Sequence, residues 1–247
     1  MNLIRSALVF LWLVVSIIPI SAALVIGSIF LRDDKLWWWF AVPWLRGAIG
    51  AARIVGGVQY RVQGEENLPA AHDMRRVVLC PKHQSTWETF FFPSMTSHPL
   101  SYVFKKELLS IPFFGWAIGR LNMVHIDRSK RSEAWAKVAE TGQVLMDRGK
   151  WIIMFPEGTR TERGGKGNYK AGATRLAVAT GAYVIPIAVT SGRCWPRRSF
   201  SFIPGVIDVS IGPAVPADGR EAGELMEEVE RWIEAEMHRL DPEAYQS

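Results

Sequence analysis

The chain has 247 residues, of which 49% are hydrophobic and 21% charged, and its 29 Lys and Arg exceed its 24 Asp and Glu, for a net charge of +5. This length gives one large domain, or a domain with an appendage, and excludes a second full-sized domain. The basic excess directs attention to anionic partners such as nucleic acid, phosphorylated metabolites or an acidic membrane surface.

From Ala7 to Leu31 the sequence carries no charge over 25 residues. As a helix it would reach about 38 Å, beyond the roughly 30 Å hydrocarbon core of a bilayer. A cleaved leader is the competing reading, since Arg5 precedes the run and "ISAAL" offers small residues. The run is longer than a usual leader core, however, and lacks a clear A-x-A site. Pro19, near Ser16 and Ser21, can kink or break the helix, so a tilted span and a re-entrant hairpin are both open. The next stretch, "LWWWFAVPWLRGAIGAARIVGGV", crowds Trp37, Trp38, Trp39 and Trp44 together with Arg46 and Arg53. It reads as an interfacial segment, with tryptophans at headgroup depth and arginines reaching phosphates, or else as a loosely packed core helix. Arg32, Lys35, Arg46 and Arg53 follow the apolar run and only Arg5 precedes it, which keeps the remaining chain cytoplasmic. Residues 1–57 are therefore expected to form a membrane-anchoring helical segment and residues 58–247 a separate domain.

Beyond Val58 short β-branched and aromatic runs, bounded by Gly, Pro or polar residues, predict strands at Val58–Val62, Arg76–Cys80, Ser101–Phe104, Met123–Ile126, Trp151–Phe155, Tyr183–Val189 and Val206–Ile211. Helices fall between them. "SEAWAKVAETGQVLMDRG" has Ser132 as expected N-cap, Trp135, Val138, Gly142 and Leu145 at helical spacing, and Gly149 as a stop. A last helix, Arg220 to Leu240, aligns Leu225, Val229, Trp232, Ile233, Met237 and Leu240 as a packing face. The alternation predicts an α/β fold. Cys80 and Cys194 show neither metal-ligand spacing nor a disulfide pattern, and fit a reducing cytosolic compartment.

Three stretches carry candidate chemistry. In "KHQSTWETFFF", His83 and Glu88 would lie about 140° apart on one regular helix, so they meet only if His83 sits on the turn before it. Ser85 and Glu88 also have the spacing of a capping box, a purely structural role. The two roles are compatible. A carboxylate fixed in the first helical turn can hold the Nδ1 proton of the histidine and leave Nε2 as a general base. Ser85 as a nucleophile is disfavoured by the absence of a G-x-S-x-G elbow. In "FKKELLSIPFFGWAIGRLNMVHIDRSKR", Lys105, Lys106 and Arg128 flank an apolar wall suited to a lipid with a phosphate head, or else to an ordinary buried helix with solvated ends. His125, in the strand "MVHID", reads as structural. "FPEGTR" follows a strand and precedes a Gly-, Lys- and Arg-rich stretch. Backbone N–H groups around Gly158, with Arg160, could bind an oxyanion or phosphate, the alternative being a surface turn in which Glu157 and Arg160 pair.

In this order the three stretches resemble the glycerophospholipid acyltransferase family, most closely its bacterial 1-acyl-sn-glycerol-3-phosphate acyltransferases. The resemblance runs from about Val77 to Ala188. The family's first motif is His, four residues, then Asp; here His83 matches and Glu88 stands in the aspartate's place, one methylene longer. "KKELLSIPFFGWAIG" leading to "HIDR" is similar to the second motif, which implies that Lys105 and Arg128 hold the acceptor's phosphate. "FPEGTR" matches the third and implies acceptor binding by Glu157, Gly158, Thr159 and Arg160. "VIPIAV" resembles the fourth, with Pro186 shaping the pocket.

The resemblance also implies a mixed sheet flanked by helices, with an N-terminal helical segment embedded in the membrane, in several members as a pair of helices dipping into one leaflet. The implied activity is direct acyl transfer from acyl-CoA or acyl-carrier protein to the 2-hydroxyl of lysophosphatidate, with no cofactor and no metal. It would occur at the cytoplasmic face of a bacterial inner membrane. Acylation of another lyso-lipid, or lipid hydrolysis using His83 with Ser85 or water, are the alternatives. Nucleic acid is not an expected partner, since the basic residues are interleaved with an apolar wall and no recognition motif is present.

Overall fold

A computed structural model describes residues 2–32, 34–126 and 131–246, except for the side chains of residues 105, 126 and 131–134. The apolar runs form strands β1 (Val58–Gln63), β2 (Val77–Pro81), β3 (Leu100–Lys105), β4 (Val124–Ile126), β5 (Trp151–Ile153), β6 (Tyr183–Val189) and β7 (Gly205–Ile211). A two-residue β8, Val215–Pro216, is added to those expected. One mixed sheet results, in the order β1-β7-β6-β2-β5-β3-β4 with β8 against β6. β6, β2, β5, β3 and β4 run parallel, whereas β7 and β8 are antiparallel to β6. Every residue of β2 and β5 is buried, which is why both read as continuous apolar runs rather than alternations.

Helices cover both faces, as expected of the α/β class. Val78, Ile152 and Val184 point into one core with Leu176, Leu225 and Val229, under α6 (Arg131–Asp147), α7 (Gly172–Thr180) and α8 (Ala222–Leu240). α6 begins at Arg131, so Ser132 lies inside it. α8 starts two residues later than Arg220, because the Glu221 carboxylate accepts the N–H groups of Gly223 and Glu224 and acts as its cap. Val77, Leu79, Ile153 and Ile185 point the other way, towards Trp87 and Phe91 of α4 (Trp87–Met95). Nine residues are too few for a stable isolated helix. α4 is held by burial of Trp87, Phe91 and Phe92, each 1% exposed and each contributing about 1.5–3 kcal/mol. Pro93 removes the N–H that would reach the Thr89 carbonyl, and the Tyr102 hydroxyl donates to that carbonyl instead, at 3.1 Å.

The N-terminal segment packs on this second face. α1 (Asn2–Phe30) runs through Pro19 as one helix of about 43 Å. A short α2 (Asp34–Leu36) and a π-helical turn (Trp37–Ala41) lead into α3 (Val42–Ile54) and the sheet, with α5 (Phe114–Ile118) also against α1. Trp12 and Trp44 stack with centroids 6.4 Å apart, and Trp44 Nε1 donates to Ser16 Oγ at 2.8 Å. Gly47 makes this approach possible: a Cβ there would stand 2.8 Å from the Trp12 ring. Near the start of α1 the Phe202 N–H donates to Ser6 Oγ at 2.8 Å, and just past its end Asp34 pairs with Lys150. Among the described residues α1 is the one helix long and apolar enough to cross a membrane. Its only buried residues are Ser6, Val9, Ser21 and Leu24.

Candidate active site

The candidate residues gather beyond the C-terminal ends of the parallel strands β2 and β5, where open α/β sheets place their ligands. Pro81 ends β2, and the following turn is pinned to β6 by the Lys82 N–H on the Ile187 carbonyl, 2.8 Å. The backbone of His83 is held on both sides by the loop after β5. Its N–H donates to Glu157 Oε2 at 2.9 Å, and its carbonyl accepts the Thr161 N–H at 2.8 Å. The imidazole stacks on Phe155, centroids 3.8 Å apart and planes 18° from parallel.

His83 Nδ1 lies 2.5 Å from Glu88 Oε2. An ionised carboxylate only accepts, so opposite one Nδ1 is the donor, and in the neutral imidazole Nε2 then keeps its lone pair. Glu88 is fully buried, whereas the histidine side chain is 14% exposed and lines a cavity. The other carboxylate oxygen, Oε1, accepts the N–H groups of Gln84 at 2.8 Å and Ser85 at 2.9 Å together with the Ser191 hydroxyl. Glu88 thus performs half of the capping box and holds the imidazole as well. The reciprocal half is absent, because α4 begins at Trp87 and Ser85 Oγ accepts the Trp87 N–H, 3.1 Å. Ser85 is fully buried and does not line the cavity, so a nucleophilic role has no geometry.

Glu157, expected beside the acceptor, faces the opposite way. Its buried carboxylate accepts from Lys82 Nζ at 2.8 Å and from the Gly167 N–H at 3.0 Å, in addition to the His83 N–H. Lys82 is itself fully buried and reaches Glu234 of α8 at 2.7 Å, which also accepts the Tyr169 hydroxyl. Burial raises the Glu157 carboxyl above its ordinary range, against the charge and hydrogen bond of Lys82 and the two backbone N–H groups. The alternative, a pairing of Glu157 with Arg160, does not form. Arg160 instead donates from Nη1 to Thr86 Oγ1 at 2.5 Å, and both residues line the cavity.

Gly158 also lines the cavity, at φ +66°, which only glycine adopts without strain. Its N–H closes the turn onto the Phe155 carbonyl, 3.1 Å, and so is not free for an anion. Thr159 is exposed and outside the cavity wall. Lys105 ends β3, but its side chain, like all of Arg128, lies outside the described residues. Pro186 is buried on β6, opposite Cys80, and does not line the cavity. His125, expected to pack, is exposed on β4 at the sheet edge.

The cavity has a volume of about 1000 Å³. His83, Thr86, Arg160 and Lys170, with Ser21, Thr89 and Tyr102, provide its polar groups, and Lys170 was not singled out from the basic stretch that contains it. The rest is apolar. Ile111, Phe114 and Ile118 form the expected wall, α4 adds Phe90, and α1 to α3 add Ile20, Leu24, Trp37, Phe40 and Trp44. The N-terminal segment therefore builds part of the site.

The acyltransferase family model matches residues 59–190. The chain is 43% identical over 202 residues to a 1-acyl-sn-glycerol-3-phosphate acyltransferase of Pseudomonas aeruginosa, covering 81% of this chain and 77% of that protein. To the protein of the same description from Escherichia coli it is 35% identical over 124 residues, 49% of each. In fold it is similar to the crystal structure of a 1-acyl-sn-glycerophosphate acyltransferase from Thermotoga maritima, with a TM-score of 0.79 over 97% of this chain and 96% of that one, at 24% identity.

Proposed function

Because the chain belongs to the acyltransferase family, we propose that it moves an acyl group from a thioester, acyl-CoA or acyl-carrier protein, to the 2-hydroxyl of 1-acyl-sn-glycerol-3-phosphate, giving phosphatidate. The observation that carries this reading is the His83–Glu88 pair on the wall of a mainly apolar cavity whose polar end holds Arg160 and Lys170. His83 Nε2 takes the hydroxyl proton while Glu88 stabilises the imidazolium. The oxygen attacks the thioester carbonyl, the tetrahedral adduct collapses, the C–S bond breaks, and the thiolate leaves with the proton from Nε2. Arg160, with Lys170 and the basic side chains of Lys105 and Arg128, holds the acceptor's phosphate and so aligns the hydroxyl with the base. Glu157 acts from behind, by fixing the backbone of His83.

Residues 1–57 serve as anchor and as cavity wall, and residues 58–247 supply the reacting groups. The start of α1 and Asp34, just past its end, both contact the same α/β body, which favours a helix lying within one leaflet. A crossing helix would carry one end about 40 Å from the other, across the bilayer. The basic residues after α1 favour the cytoplasmic face for the α/β body. In this position acceptor and product never leave the bilayer.

The test is an assay of the purified chain in lipid, with lysophosphatidate, other lyso-lipids and both donor types. Phosphatidate with stoichiometric free thiol is expected. Release of free fatty acid without phosphatidate would replace the proposal with hydrolysis.

A further inference from the structure

Next to the start of α1 lies a loop, residues 194–204, that does not line the cavity, although its Trp195 stacks on Phe90 of the cavity wall, centroids 6.2 Å apart. It is tied down internally. The Ile203 N–H donates to the Cys194 carbonyl at 2.8 Å, Trp195 Nε1 to the Ser199 carbonyl at 3.0 Å, and the Ser201 N–H to Ser199 Oγ at 2.9 Å. Its inner side chains, Trp195 and Phe202, are 5% and 1% exposed and both pack on Phe10 of α1. The same loop leaves Phe200 80% exposed and Ile203 45% exposed, although a chain with an apolar core available would ordinarily bury them. Arg198 is also exposed and sits at φ +58°, a conformation unfavourable for a side-chain-bearing residue. Rigidity, outward aromatic, outward cation and local backbone strain coincide in one turn.

We propose that this loop is a second bilayer contact, with Phe200 and Ile203 entering the acyl region and Arg198 meeting a lipid phosphate of an anionic membrane. The occupant is argued from continuity and from charge. Phe200 touches Phe10, ring centroids 5.5 Å apart, and Phe10 belongs to the helix whose outer face exposes Leu3, Leu8, Leu11 and Val15. The apolar surface is therefore one patch shared by α1 and the loop. From Arg197 to Pro204 the loop contains two arginines and no acid; Arg197 pairs with Glu162 at 3.7 Å, and the exposed Arg198 is the cation that favours phosphate at an interface. This inference rests on the reading of α1 as membrane-embedded.

The experiment is a depth measurement by spin labelling of the full chain in phosphatidylethanolamine and phosphatidylglycerol vesicles. Both native cysteines are buried, so a label on Phe200→Cys reports the loop, one on Val15→Cys reports α1, and one on Glu227→Cys, exposed on α8, serves as the aqueous reference. The Phe200 label is expected to collide with oxygen several-fold more than with a water-soluble nickel complex, as the Val15 label does. A Val15 label in lipid with a Phe200 label matching the reference would overturn the loop contact alone. Both labels matching the reference would overturn the reading of α1 as well. Arg198→Gly relieves the positive φ while removing the charge, and it is expected to bring the Phe200 label closer to water. Unchanged depth would overturn the phosphate half of the proposal.

Discussion

The turns that follow the neighbouring parallel strands β2 and β5 differ in where their polar atoms go. After β2 the groups that fix His83 are satisfied within the protein: both backbone groups of the histidine, both oxygens of Glu88 and the hydroxyl of Ser85 have named partners. After β5 Glu157 is turned inward, onto Lys82, while Arg160 and Lys170 line the cavity and no carboxylate pairs with either among the described residues. The first turn is over-determined in geometry, as a proton-transfer group must be. The second leaves charge available to a ligand. Substitutions in the first are therefore expected to act on kcat and those in the second on KM, and each variant below is a way to break that division.

The largest effect is expected from His83→Ala, which removes the proposed base and should lower kcat by about 10²–10⁴-fold with KM for lysophosphatidate little changed. Activity within a few-fold of the parent, in protein with an unchanged circular dichroism spectrum, would remove His83 from the mechanism. Glu88→Gln should be nearly as severe, for a reason fixed by the hydrogen bonds. Three donors converge on Oε1, so the amide must place its oxygen there and its NH2 towards Nδ1. That makes Nδ1 an acceptor and puts the proton on Nε2, the wrong tautomer for a base. Retained activity in Glu88→Gln would mean that the tautomer is not set by this contact.

Arg160→Ala crosses to the second turn. Loss of a charge-assisted hydrogen bond of about 1.5–3 kcal/mol should raise KM for the acceptor roughly 10- to 100-fold, with kcat at saturation largely preserved. An unchanged KM would show that Arg160 serves only to hold Thr86, and a fall in kcat alone would break the division between the turns.

How far the sequence carried this comparison depends on what each residue needs in order to be read. β2, β5 and β6 were legible because strands buried on both faces are runs of apolar residues, whereas β8 has two residues and one of them is Pro216. His83 and Glu88 were legible because both lie within one short segment. The orientation of Glu157 was not, since it follows from Lys82, a residue type that is almost never fully buried and that here is 0% exposed, shared between Glu157 and Glu234. α1 and α8 show the same limit at the level of helices. α8 alternates charge with a stripe of Leu225, Val229, Ile233 and Met237, which identifies its buried face. α1 is apolar all round, and it turns Ser6 and Ser21 to the protein and most of its leucines and isoleucines outward. Uniform composition gives no face, and only the contacts with Phe202 and Trp44 do.

Ser191 offers the smallest and most local test. It stands 103 residues from Glu88 in the chain, is fully buried, and donates its hydroxyl to the Oε1 that also takes the Gln84 and Ser85 N–H groups. No pattern in the sequence points to it. Removing one donor of three leaves the carboxylate held but freer to rotate about its last bond, so Ser191→Ala should lower kcat by only about 3- to 10-fold, the scale of one ordinary hydrogen bond of roughly 0.5–1.5 kcal/mol. KM should not move, because no ligand-facing charge is touched. A general loosening of the core would instead lower the melting temperature without singling out the proton between His83 and Glu88. The discriminating readout is therefore the resonance of the Nδ1 proton, which should shift in Ser191→Ala and stay in place in Arg160→Ala. Identical Nδ1 resonances in the Ser191→Ala variant and the parent would mean that Gln84 and Ser85 alone orient the carboxylate.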